Sequence, residues 1–260
     1  MKQKILPLIL ALLLSGCAAE QPALTTDVPA MAVTTAPIAP TTHPTEQTAP
    51  PTEPTTQPTE ATTLPPEPTE PAPMYAGAVE DFLQPLESFS QAREHGAEFV
   101  MIHFTSAVAV DRNDPFSMEK IRKIFVDYGV SIHYIIDRDG TVYCYVPETL
   151  VAWHAGKGSF AGIENRMNHY AIGIELVGMG DRNDMMIYMT GEAYDALPEE
   201  YKYFTDAQYQ ALIPLVADIC ARNGIPADRQ HVLGHSEYNP AKTDPGGNFD
   251  WERLLAGLTD

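Results

Sequence analysis

Three polar side chains stand where the apolar pattern around them gives no reason for them. His103 ends a buried apolar strand in "EFVMIHFT", His235 ends the short apolar run "HVLGH", and Glu175 interrupts "AIGIELVG". An unpaired carboxylate within an apolar strand is costly. Taken singly, the histidines read as hydrogen-bonded core residues and the glutamate as half of an ion pair. The stretch "GHSEYNPAKTDPG", Gly234 to Gly246, changes that reading. It gathers His235, Lys242 and Asp244 into a segment that Pro240 and Pro245 stiffen and keep out of regular helix or strand. Two histidines and one aspartate form a catalytic zinc set, with a fourth position left for water. Lys242, two residues before Asp244, brings a positive charge beside such a metal. Strand alternation puts Glu175 on one face with Ala171 and Gly173, and these small neighbours predict open room for a substrate before the carboxylate.

These residues need elements to position them, and the pattern supplies a set. Glu98 to Thr105 reads as a buried strand. "FSMEKIRKIFVDYG" is an amphipathic helix with Ile121, Ile124, Phe125 and Tyr128 on one side and Gly129 ending it. "SIHYIIDRDGTVYCYVPE" is a hairpin around Asp139-Gly140, and "YAIGIELVG" a near-continuous apolar strand. A second helix opens at Thr205, with Gln208 at capping-box spacing and Gly224 as its stop. Its expected apolar face is Tyr209, Leu212, Ile213, Val216, Ile219 and Cys220, and Pro214 should bend it. "QHVLGH" reads as a last short strand and "WERLLAGL" as a terminal helix. Strands and helices intermix, which predicts a single α/β domain over residues 75–260, with a mixed central β-sheet flanked by helices.

The pieces "MIHFT", "VSIHYIIDRDGTVYCYVPE", "VAWHAG", "AIGIELVG", "FTDAQYQAL", "VLGHSEYNPAKTDPG" and "FDW" occur in order over most of residues 98 to 252. Together they resemble the zinc-dependent N-acetylmuramoyl-L-alanine amidases, the type shared by T7 lysozyme, AmpD-like enzymes and peptidoglycan recognition proteins. The resemblance implies that fold, Zn2+ as cofactor and peptidoglycan fragments as substrate. It implies His103, His235 and Asp244 as zinc ligands, Glu175 as the residue acting on the attacking water, and Lys242 at the developing oxyanion. The position of the catalytic tyrosine in T7 lysozyme is Ile132 here, so the chain follows the glutamate version. His154 and Trp153, in "AWHAG", are expected to face the cleft and touch substrate, and His133 to be a hydrogen-bonded residue near the site. Residues 179–204 exceed the usual connection and are expected beside the cleft, as a substrate-shaping lid or a decoration. Two other classes fit the same residues less well: a peptidoglycan-binding module without catalysis, and a zinc amidohydrolase acting on another cell-surface peptide.

The rest of the chain bounds where this happens. Residues 1–17 have the form of a secretion signal, with Lys2, Lys4 and an apolar run from Ile5 to Leu14, ending in a lipobox-like Leu14-Ser15-Gly16-Cys17. This predicts an extracytoplasmic protein anchored through a lipid on Cys17. Residues 18–74 are rich in Pro, Thr and Glu, lack apolar periodicity, and are expected to form a disordered stalk. At about 3.1 Å per residue in polyproline II, that stalk reaches on the order of 100 Å. The net charge of −19 excludes a nucleic-acid partner, which needs a basic surface, and leaves membrane contact to the anchor. Cys144 and Cys220 read as two small buried thiols, with a disulfide the alternative. The protein is expected to be a monomer.

Overall fold

In the computed structural model, which describes residues 74–259, the chain enters through two short strands, β1 (Val79–Glu80) and β2 (Ser90–Ala92). The expected signal, Cys17 and the stalk lie outside the described residues. β3 (Phe99–Thr105) leads to helix α1 (Met118–Tyr128), then to the hairpin of β4 (Tyr134–Ile136) and β5 (Val142–Cys144), and to β6 (Leu150–Ala152). A small ribbon of β7 (Ser159–Phe160) and β8 (Ile163–Glu164) passes through the one-turn helix α2 (Met167–Tyr170) into β9 (Ala171–Val177). Then come α3 (Gly191–Asp195), α4 (Asp206–Asn223), β10 (Val232–Gly234), the short α5 (His235–Tyr238) and α6 (Trp251–Thr259). Among the described residues, the main sheet runs β1-β5-β4-β9-β3-β10, and the β4–β5 hairpin is its one antiparallel pair. The mixed α/β class expected from the sequence is the class observed.

β3 and β9 lie at the centre with parallel neighbours, and both faces are covered, so their sequences are apolar almost throughout. One face, carrying Val100, Ile102, Ile172, Ile174 and Leu176, packs on α4 and on Leu254 of α6. The other face carries Ile135 and Val177 against Ile121, Ile124 and Phe125 of α1. Gly129 ends α1 in the left-handed region, at φ 64°, where a glycine avoids the Cβ clash.

α4 begins as its sequence requires: Thr205 Oγ1 accepts from the Gln208 N–H, and Gln208 Oε1 accepts from the Thr205 N–H. The Gln208 amide also donates to the carbonyls of Ile136 and Val177, which fixes the helix start against the ends of β4 and β9. Leu212, Leu215, Val216 and Ile219 are fully buried, each contributing roughly 1.5–3 kcal/mol. Leu215 thus takes the core position that the sequence pattern gave to Ile213. Ile213 instead faces α6, where Gly257 approaches so closely that a Cβ there would lie 2.7 Å from Ile213 Cδ1. The helix continues through Pro214.

The far end of α4 is held by charge. Arg222 grips the buried Glu148 carboxylate with two bonds of 2.8 and 2.6 Å. The Tyr134 hydroxyl donates to the same carboxylate and accepts from the Tyr75 N–H at 2.7 Å. Cys144 and Cys220 are buried free thiols, not a disulfide, and burial raises them to about 12 and about 11.

Candidate active site

Three parallel strands deliver their chemistry at their C-terminal ends, where open α/β sheets bind ligands. His103 lies two residues before the end of β3, and its register partner on β9 is Glu175. β10 lies on the other side of β3, so the residue after it, His235, emerges beside His103. His235 opens α5 and does not continue the strand, a difference from the sequence expectation. The turn into a helix lets the chain come back: Ser236 N–H donates to the Asp244 carbonyl, and Gly234 leaves space for Pro245, whose Cδ would lie 2.6 Å from a Cβ there. Between them, Lys242 N–H donates to the Asn239 carbonyl and Gly246 N–H to that of Thr243. The stiff loop read from the sequence is a set of turns that returns Asp244 to the histidines.

The result is a convergent triad. His103 Nδ1 is 2.8 Å from Asp244 Oδ2, His235 Nδ1 is 3.0 Å from the same oxygen, and the two nitrogens are 3.1 Å apart. A tetrahedral zinc with ligands at 2.0–2.1 Å spaces its donors at about 3.3 Å, so the triad matches one face of that tetrahedron. His235 Nε2 lies 2.9 Å from the Ala155 carbonyl, which can only accept, so Nε2 carries a proton and Nδ1 is the nitrogen turned to Asp244. Burial lowers His103 to about 4, against the raising effect of Asp244, and so keeps the ring neutral. Burial would raise the Asp244 carboxyl, but His235 and His103 outweigh it and hold it below its ordinary range. Two imidazoles and a carboxylate are a donor set suited to zinc.

Glu175 is arranged differently. Its Oε2 is shielded and has no hydrogen-bond partner. Burial, reinforced by the charge of Asp244 and opposed by Lys242, pushes its carboxyl well above the usual range. His103, Glu175, His235, Lys242 and Asp244 all line one cleft of about 260 Å³. Ile124, Phe125, Val130 and Trp153 give it an apolar arm.

The room expected beside Glu175 exists but is filled. A Cβ at Gly173 would lie 2.7 Å from His154 Nδ1 and 2.5 Å from Ile132 Cδ1, so the missing side chain accommodates a histidine ring, not a substrate. His154 lines the cleft, buried, with Nδ1 3.1 Å from His103 Nε2. Trp153, also buried, lines the cleft beside it. His133 Nδ1 accepts the Gly173 N–H at 3.0 Å and its Nε2 lies 3.1 Å from the Leu150 carbonyl, so it is a hydrogen-bonded residue behind the site. Burial, helped by the Arg93 charge, lowers its pKa well below the ordinary value.

Residues 179–204 contribute Asn183, Asp184, Ile187 and Tyr188 to the cleft wall. Asn248 Nδ2 donates to the carbonyls of Met179 and Lys202 at 3.0 and 2.7 Å, fastening both ends of this segment beside the loop that carries Asp244.

Two residues behind the site were not found from the sequence. Arg93 donates to the carbonyls of Glu148, His169 and Leu150, and burial lowers it to about 10. Asn168 accepts from the backbone of His154 and Ala155. Neither has a spacing signal, because their partners are remote carbonyls and amides that any residue type supplies.

The family description N-acetylmuramoyl-L-alanine amidase matches residues 93–247. The 1,6-anhydro-N-acetylmuramyl-L-alanine amidase AmpD of Enterobacter cloacae is 35% identical over 167 residues, 64% of this chain and 74% of that protein. The N-acetylmuramoyl-L-alanine amidase AmiD of Escherichia coli is 32% identical over 173 residues, 64% of this chain and 54% of that protein. A crystal structure of an AmpD derivative superposes with a TM-score of 0.53 at 29% identity, covering 71% of this chain and 96% of that one. The matched span contains both central strands, the loop that carries Asp244, and His103, Glu175, His235, Lys242 and Asp244: the chain belongs to the N-acetylmuramoyl-L-alanine amidase family.

Proposed function

We propose that this protein hydrolyses the amide bond between N-acetylmuramic acid and L-alanine in peptidoglycan fragments, with zinc held by His103, His235 and Asp244. The observation that carries the reading is the meeting of two Nδ1 atoms and one carboxylate oxygen within 3.1 Å of one another, in the same cleft as a shielded, unpartnered carboxylate. Zinc bound there would polarise the scissile carbonyl and make water a better nucleophile near neutral pH.

The chain's own residues do the rest. Glu175 in its ionised form takes a proton from the water as the water oxygen bonds to the carbonyl carbon, and the burial that raises its carboxyl makes it the stronger base. As the C–N bond breaks, the same proton passes to the alanine nitrogen, leaving a free amine and the lactyl carboxylic acid, which loses its remaining proton to solvent. Lys242, on the loop that carries Asp244, supplies positive charge to the oxygen on which negative charge develops. Trp153 and the apolar arm of the cleft hold the substrate beside these groups, with His154 at their edge.

We further propose, from residues 2–17, that the protein is extracytoplasmic and anchored through a lipid on Cys17. We also propose that it acts as a monomer. The test is incubation of purified protein with wall fragments, following new L-alanine amino termini alongside zinc content. Wild type should release them. His103→Ala, His235→Ala and Asp244→Ala should lose zinc and activity together. Fragment binding without release in the wild type would instead make the protein a recognition module.

A further inference from the structure

Both histidines of the triad place their second ring nitrogen against one short segment, and one side chain holds that segment. His154 Nδ1 meets His103 Nε2 at 3.1 Å, and the carbonyl of the next residue, Ala155, meets His235 Nε2 at 2.9 Å. The carboxamide oxygen of Asn168 accepts from the N–H of His154 at 2.9 Å and from that of Ala155 at 2.7 Å. Asn168 sits in α2, immediately before β9, and is buried at 3% exposure.

We infer that Asn168 is a positioning residue for the metal site, fixing the ring orientation and tautomer of both histidine ligands by clamping the 154–155 backbone. The inference rests on the zinc reading above. The Ala155 carbonyl obliges His235 to carry its proton on Nε2 and to present Nδ1. For His103 to present Nδ1 to a metal, its proton must likewise sit on Nε2, and His154 Nδ1 is there to accept it. Without the Asn168 oxygen, two buried N–H groups lose their acceptor, and the peptide must rotate or admit water to satisfy them. Rotation withdraws the Ala155 carbonyl. His235 can then move its proton to Nδ1, the atom the metal needs. Removing such an outer partner of a ligating histidine typically costs about 10–100-fold in metal affinity.

A merely structural asparagine would affect melting temperature and nothing else, so the readouts are tautomer and affinity. The full chain, free of metal, is examined by long-range nitrogen–proton NMR of its histidine rings, and zinc affinity is measured by chelator competition. Wild type should show a proton held on Nε2 of His235. Asn168→Leu should leave that nitrogen partly unprotonated and weaken zinc by about 10–100-fold. Asn168→Asp, which keeps the accepting oxygen, should restore both. An unprotonated Nε2 at His235 in wild type overturns the inference without any variant. So does a folded Asn168→Leu with zinc affinity within about threefold of wild type, or an Asn168→Asp that loosens both readouts. If Asn168→Leu fails to fold, the wild-type tautomer and the aspartate variant decide. No wall substrate is involved, so a wild type that binds zinc but cleaves nothing would sink the amidase reading and leave this one standing.

Discussion

Gly173→Ala adds one methyl group where the sheet surface meets the His154 ring, and its consequences follow from three distances. A Cβ at this position would lie 2.5 Å from Ile132 Cδ1, 2.7 Å from His154 Nδ1 and 2.8 Å from His154 Cε1. Ordinary contact begins near 3.5 Å, so the ring must retreat by roughly 0.8 Å. The Ile132 methyl is the end of a flexible chain and can turn aside. The His154 ring cannot, because it is packed edge-on to His103 and His133, with centroids 5.1 and 5.6 Å away, and the backbone N–H of the residue is held by Asn168. A retreat of that size stretches the 3.1 Å contact between His154 and His103 beyond hydrogen-bond range. The overpacking should cost about 1–3 kcal/mol of stability. The lost outer contact should weaken zinc by about 10–100-fold. In isolation, alanine suits a strand better than glycine by roughly 0.5–1 kcal/mol, so any net loss measures the clash. Thermal unfolding without metal and chelator competition for zinc are the assays. A variant as stable as wild type, with unchanged zinc affinity, would show that the ring is not held as described.

Three further outcomes are expected. Glu175→Gln should keep zinc and lose about 10²–10⁴-fold in turnover. The same variant should stabilise the metal-free protein at neutral pH: the folded carboxyl titrates above its unfolded value, so wild-type stability falls as pH rises past the ordinary glutamate range, and glutamine removes that slope in melts against pH. Lys242→Met should keep zinc and fragment affinity while turnover drops roughly 10²–10³-fold, and wild-type turnover would remove Lys242 from the mechanism. Cys144 and Cys220, raised to about 12 and about 11 and buried, should resist alkylation at pH 8 in the native domain and react once it is unfolded.

The parts of this structure legible in the sequence are those whose signal is local. Gly129 ending a helix, Thr205 with Gln208 opening one, and Asp139-Gly140 between two strands are carried by a few adjacent residues. The five cleft residues were legible for the opposite reason: each breaks an apolar or otherwise regular pattern. What did not read out depends on a partner far along the chain. Ile213 and Leu215 are equally apolar, and only the approach of Gly257 decides which one meets α6. Residues 179–204 show no clear period, yet they are ordered by Asn248 at their neck and by packing of Met179, Met185, Met189 and Tyr194 on Val108. Gly173 advertises space, but the sequence does not say which side chain will fill it.

The same distinction separates what the site costs from what it does. A shielded carboxylate oxygen without a partner at Glu175 and a neutral, buried His103 beside a charged Asp244 are unfavourable local choices. They cluster at the ends of three neighbouring strands, beside side chains that each hold several backbone or charged groups. Gln208 and Asn168 each use one carboxamide to hold two backbone groups, Arg93 holds four carbonyls, and Arg222 grips Glu148 with both arms. A fold relaxing towards its own stability would pair Glu175 or replace it. Keeping it unpaired makes sense only if a bound group supplies the missing partner and a reaction uses the proton. For that reason Glu175→Gln should gain stability and lose turnover in one step, whereas Gly173→Ala and Asn168→Leu, which disturb the supporting shell, should lose both.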